Sequence, residues 1–169
     1  MDAWRNRARP LVALAALSLA LACGPGAERV SLGPAPAFEA LRLDGSRVRL
    51  EDFRGQVVLI DFWATWCPPC VLEVPELNAV WERVRGRGVE VLALSVDDLP
   101  LEEIAGWARE YGASYPIAVS DIDLAIAYGG AQFPFHVVVG PGGELLERLE
   151  PGYHDRRELI EVLERHAKL

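Results

Sequence analysis

Cys67 and Cys70 stand three apart in Trp66-Cys67-Pro68-Pro69-Cys70. Two thiols at that spacing can staple the chain, form half of a zinc site, or exchange electrons with another disulfide. Zinc wants four ligands, and His136, His154 and His166 have no matching spacing. A staple this short closes a very small loop and adds little through loop entropy. Copper held by a cysteine pair and His136 is a further reading, but its usual partner spacing is CxxxC, and here it is CxxC. Redox exchange is the reading that the flanking residues favour.

Those flanks place the pair. Val57-Val58-Leu59-Ile60-Asp61-Phe62 is a nearly continuous apolar run, which suits a strand buried on both faces. Cys70, Val74, Leu77, Trp81 and Val84 then repeat at helical spacing. The pair therefore sits where a strand ends and a helix begins. A helix start presents unpaired N–H groups and a partial positive charge, which lower the pKa of a thiol there. Pro68 and Pro69 fit the first turn, where a missing N–H costs nothing. Cys67 is expected to be the exposed attacking thiol and Cys70, one turn in and close enough to bridge it, the buried resolving one. Pro75 is expected to kink the helix, and Gly86 and Gly88 to end it.

The remaining elements alternate. Leu41–Leu43 and Val48–Leu50 flank an Asp44-Gly45-Ser46 turn and read as a hairpin. Val89–Val96 reads as a strand. Asp98–Tyr111 reads as a helix with Pro100, Glu102 and Glu103 in its first turn. Tyr115–Val119 is a short strand and Asp123–Tyr128 a short helix. Phe135–Val139 and Glu144–Leu149 form strands around Pro141-Gly142-Gly143. Asp155 and Glu158 open the last helix as a capping box. The pattern predicts an α/β fold with a central mixed sheet flanked by helices.

Composition bounds the rest. The 169 residues are 51% apolar and 25% charged, with a formal net charge of −8, which fits one packed domain and leaves no basic footprint for nucleic acid. Residues 1–22 differ in kind. Arg5, Arg7 and Arg9 precede the apolar run Leu11–Ala22, too short for a membrane span and suited to a signal peptide. Cys23 is the third cysteine, an odd one out in an exported chain. Ala20-Leu21-Ala22-Cys23 resembles a bacterial lipoprotein box, though Ala20 stands where a larger aliphatic is usual; plain signal cleavage is the alternative. Residues 23–36 read as a tether and 37–169 as the folded domain.

From Ala37 onward the chain resembles the thioredoxin-fold TlpA/ResA type of membrane-tethered thiol–disulfide oxidoreductase, within the AhpC/TSA–redoxin-like superfamily. Val58-Leu59-Ile60-Asp61-Phe62-Trp63-Ala64-Thr65-Trp66-Cys67-Pro68-Pro69-Cys70 is similar to its active-site signature. The N-terminal hairpin, Pro75 and an inserted strand–helix segment between Val96 and Phe133 also match. The resemblance implies a redox disulfide between Cys67 and Cys70. It makes Asp61 the buried acid near the thiols and Glu73 a tuner of thiol acidity. It makes Pro134 a cis-proline facing the disulfide, with Phe133 and Trp66 at the client groove. Phe133 and Phe135 depart from the small or β-branched residues usual around that proline. A peroxiredoxin shares the fold, but its TxxC is absent, since Ala64 stands three before Cys67.

The resemblance also implies an extracytoplasmic enzyme, in the periplasm or on the outer face of the cell membrane, with no cofactor or metal. It would reduce disulfides of exported proteins, apocytochrome c foremost, using electrons from a membrane thiol-reductant partner and a lipid anchor on Cys23. Oxidative folding, or client or copper binding without catalysis, are the alternatives.

Overall fold

The computed structural model describes residues 31–169. Residues 1–22, Cys23 and the first part of the tether lie outside them. The described chain forms β1 (Glu39–Arg42), β2 (Arg47–Arg49), a short 3-10 turn (Leu50–Phe53), β3 (Val57–Trp63) and α1 (Pro68–Val84). It continues through β4 (Val89–Ser95), α2 (Leu101–Tyr111), β5 (Ile117–Val119), α3 (Ile122–Tyr128), β6 (Phe135–Val139), β7 (Leu145–Arg148) and α4 (Arg156–His166). The strands make one mixed sheet in the order β2-β1-β5-β4-β3-β6-β7. β3 runs parallel to β4 and antiparallel to β6.

The central place of β3 explains its composition. All seven of its residues are buried because helices or loops cover both faces. Side chains alternate across a strand. Val57, Leu59 and Trp63 face the core made with α1, α2 and α4. Val58, Ile60 and Phe62 face a second core built from α3, Phe135 and the N-terminal hairpin. Asp61 shares the odd-numbered set, so its carboxyl lies on the α1 side. Trp63 packs on Trp107 of α2, with ring centroids 4.2 Å apart.

Three elements differ from expectation. α2 starts at Leu101, not Asp98, with Pro100 as its N-cap. A proline biases the residue before it away from helical geometry, which keeps Leu99 out of the helix. Trp81 is only half-buried, and its indole N–H donates to Glu90 at 3.0 Å instead of filling the core stripe. Within the stretch read as tether, Leu32 donates to the Leu145 carbonyl at 2.8 Å and Leu145 to the Gly33 carbonyl at 2.9 Å. The open edge beyond β7 supplies those unpaired backbone groups. The capping box at Asp155 and Glu158 is present. No helix among the described residues is long and apolar enough to cross a membrane.

Candidate active site

β3 ends at Trp63 and α1 begins after Cys67, so four residues carry the chain from sheet to helix. That bend is pinned from the side. The carboxylate of Asp97 accepts from the Thr65 N–H at 2.9 Å, the Thr65 hydroxyl at 2.8 Å and the Ser95 hydroxyl at 2.7 Å. Asp97 follows β4, the parallel neighbour of β3, so the loops leaving two adjacent strands are tied together. Sequence pattern gave no signal for this residue, because its partner Thr65 stands 32 positions away on the loop after β3.

Cys67 is the N-cap of α1, and Pro68 and Pro69 occupy the first turn. The Cys70 N–H donates to the Cys67 sulfur at 3.3 Å. A cap sulfur held this way stabilises negative charge, as the unpaired N–H groups of any helix start do. Cys67 and Cys70 form a disulfide, with Cα atoms 5.3 Å apart. Both cysteines are buried, each only 4% exposed. The expected contrast between an exposed Cys67 and a buried Cys70 is therefore absent: both cysteines belong to the core on the α1 side of the sheet.

An aromatic rim borders the pair. Trp66 is 66% exposed, and its ring meets that of Phe133 edge-on at 6.0 Å. The Phe133–Pro134 peptide is cis. The Pro134 carbonyl accepts from the Gly152 N–H at 2.9 Å, which ties this loop to the segment before α4.

Asp61 and Glu73 come together on the α1 side of the sheet, both essentially sealed from solvent. Glu73 lies one turn beyond Cys70 on the same buried helix face. Its Oε1 accepts from the His154 N–H at 2.7 Å. Burial pushes the Asp61 carboxyl up to about 7; His136 pulls it down and Glu73 pushes it further up. Burial pushes Glu73 up to about 8, against the lowering effect of the His154 N–H. Carboxyls tuned to this range can take and return a proton near neutral pH.

His136 joins them. The β3–β6 register sets His136 directly opposite Asp61. Its Nε2 is 3.4 Å from Asp61 Oδ1 and 3.2 Å from Glu73 Oε2. Burial drives its pKa down to about 4, although Asp61 opposes this. Reading His136 only as a metal ligand passed over this contact. The β3–β6 register that pairs Phe62 with Phe135 sets Asp61 opposite His136, and the residues alone do not fix that register.

A cysteine pair capping a helix behind a buried strand, a cis-proline opening the neighbouring strand at the same end of the sheet, and a mixed sheet around both define a thioredoxin-fold thiol–disulfide oxidoreductase. The profile of the AhpC/TSA family matches residues 33–148, and the chain belongs to that family. Thiol-disulfide oxidoreductase ResA of Geobacillus thermodenitrificans is 31% identical over 131 residues, covering 77% of this chain and 74% of that protein. ResA of Bacillus subtilis is 29% identical over 142 residues, 80% of this chain and 79% of that protein. Among solved structures, one described as the thiol:disulfide interchange protein DsbE of Chlorobium tepidum superposes with TM-score 0.69 at 25% identity, over 82% of this chain and 96% of that one. The thioredoxin domain of a Bacteroides vulgatus thiol-disulfide oxidoreductase gives 0.72 at 24% identity, over 82% and 99%, and shares the fold. The enzyme class follows from the ResA relatives together with the Cys67–Cys70 pair.

Proposed function

We propose that this oxidoreductase works outside the cytoplasm as a reductant of disulfides in exported proteins, with the haem-attachment cysteines of apocytochrome c as leading client. The observation that carries the thiol chemistry is the Cys70 N–H aimed at the Cys67 sulfur at the start of α1. It makes Cys67 the better thiolate and so the attacking atom.

The reaction runs in two exchanges. The Cys67 thiolate attacks one sulfur of a client disulfide, and the other client sulfur leaves as a thiolate. Cys70 then loses its proton to the Asp61 and Glu73 carboxyls, attacks Cys67, and releases the second client sulfur. The products are a reduced client and the Cys67–Cys70 disulfide. Phe133 and Pro134 would hold an extended client segment by backbone pairing, with Trp66 shielding the mixed disulfide from water. No cofactor enters either exchange. A membrane thiol-reductant partner would return the pair to the dithiol. Residues 1–22 would direct export, with Cys23 lipidated as the anchor and the residues after it as tether. Electron direction and client rest on the resemblance to the TlpA/ResA type.

Equilibration of the pair against a glutathione buffer, read by thiol alkylation, tests the direction. A potential near or below about −250 mV fits a reductant, and one above about −180 mV reverses the electron flow. Trapping tests the exchange itself. Cys70→Ser should accumulate client mixed disulfides, and Cys67→Ser should not. Loss of a bound metal with either change, and no trapping, would make the chain a binding module.

A further inference from the structure

Asp61 Oδ1, Glu73 Oε2 and His136 Nε2 are buried, and none makes a well-aligned hydrogen bond. These donor atoms converge within 4.8 Å of one another. Buried polar atoms without partners are rare and call for a physical reason. The other Glu73 oxygen is already taken by the His154 N–H, so a proton on Glu73 sits on Oε2, facing His136. A single imidazole nitrogen accepts one hydrogen bond or donates one. Nε2 can therefore serve Asp61 or Glu73, but only one at a time.

We infer that His136 Nε2 is a proton relay between Asp61 and Glu73, so that the two carboxyls act as one acid. This rests on the reading in which they accept the Cys70 proton. A proton given by Cys70 to one carboxylate passes to Nε2. Nε2–H then donates it to the other carboxylate, and the ring returns to neutral without flipping. The Cys70 thiolate attacks Cys67, the Cys67–client bond breaks, and the client sulfur leaves with the electron pair to take a proton from water. Glu73 is the end of the relay nearer the loop before α4, since its Oε1 accepts the His154 backbone N–H.

The surroundings fit a relay. Both carboxyls are raised into the neutral range and the ring is held low, so the proton rests on oxygen and only crosses nitrogen. The His154 ring stands edge-on to His136 at 5.4 Å and disfavours a lasting imidazolium. Tyr115, ahead of β5, has its phenol raised by burial and then by Asp61 and Glu73, so it stays protonated. Glu76 on α1 is neutralised by Arg156 of α4 at 2.7 Å. Tyr153 feels Glu73 and Glu76 from the loop before α4. The same three donors could face a divalent ion. His136 Nδ1 has no partner in either case, so bound zinc is decided by the test.

The test uses the purified full chain. In the oxidised wild type, the 15N shift of His136 Nε2 should follow both carboxyl titrations between about pH 6 and 9. A flat Nε2 shift across that range overturns the relay. So does stoichiometric zinc that survives purification and moves Nε2 when removed. His136→Asn and His136→Gln should slow release of a client thiol from the Cys67 mixed disulfide about tenfold, well short of the ~10²–10⁴-fold that a general base supplies. Cys67 alkylation at fixed pH should not change. Wild-type release rates in both variants sink the relay alone. Failure of the wild-type pair to exchange with any peptide disulfide sinks the underlying reading as well.

Discussion

The backbone N–H of Cys70 points at the sulfur of Cys67, 3.3 Å away, across a turn that two prolines hold. The two thiols of the reduced enzyme are thus unequal before any client arrives. Cys67 should ionise well below about 8.5, the usual cysteine value, and Cys70 should not. Iodoacetamide labelling against pH, with the sites separated by mass spectrometry, reads this directly. Equal labelling of both cysteines at pH 7 would contradict it.

Asp61 and Glu73 should make the fold less stable as pH rises. A carboxyl raised by folding keeps a proton that the unfolded chain has lost. Its stabilisation is complete below the unfolded value near 4 and is lost as pH rises through the folded values of about 7 and 8. His136, lowered to about 4, acts oppositely between about 4 and 6.5 and offsets part of the loss. Asp61→Asn should therefore gain stability relative to wild type between pH 4 and pH 8, by on the order of 3 kcal/mol. Urea melts at those two pH values check it. A constant difference between them would show that Asp61 ionises normally.

Asp97→Ala should cost about 2–3 kcal/mol, because it strands the Thr65 N–H and the Thr65 and Ser95 hydroxyls. The loop that delivers Cys67 loosens at the same time. Thermal melts should show the loss, and Cys67 should react less selectively over Cys70. Asp97→Asn, which keeps an acceptor oxygen, should recover part of both.

Gly130→Ala should be destabilising by about 1–3 kcal/mol. A methyl group there would come within 2.1 Å of the Phe135 ring, which is buried next to Pro134. A Tm unchanged within a degree would mean that the ring has room to move.

Asp155→Ala removes the cap of α4 and should cost about 1 kcal/mol. The same segment presents the His154 N–H to Glu73, so the Glu73 pKa should rise further. The 13C titration of the Glu73 carboxyl reads that shift.

Strand and helix periods were legible wherever one residue type repeated against one face. The run from Val57 to Phe62 announced a doubly covered strand, and Cys70, Val74 and Leu77 announced the helix after it. Cys67, Cys70, Asp61 and Glu73 could be singled out because they sit in or beside one contiguous motif. His136 was seen but not placed, since its meaning depends on the register between strands more than 70 positions apart. Asp97 and the His154 N–H were invisible for a related reason: each acts through loops that only the folded sheet brings together. The start of α2 lies later than expected because Pro100 caps the helix instead of entering its first turn, while Glu102 and Glu103 keep their first-turn place.

Residues 32–35 pair with the hairpin after β6. That hairpin sits at the Val57 end of β3, as the Val58–Val139 pairing and the Gly55 N–H on Pro141 show. The dithiol leaves the Trp63 end, about 20 Å away along seven residues of strand. Residues 32–35 therefore lie at the pole opposite Cys67 and Cys70. Were the chain tethered ahead of Ser31, as proposed above, the dithiol would face away from the attachment surface.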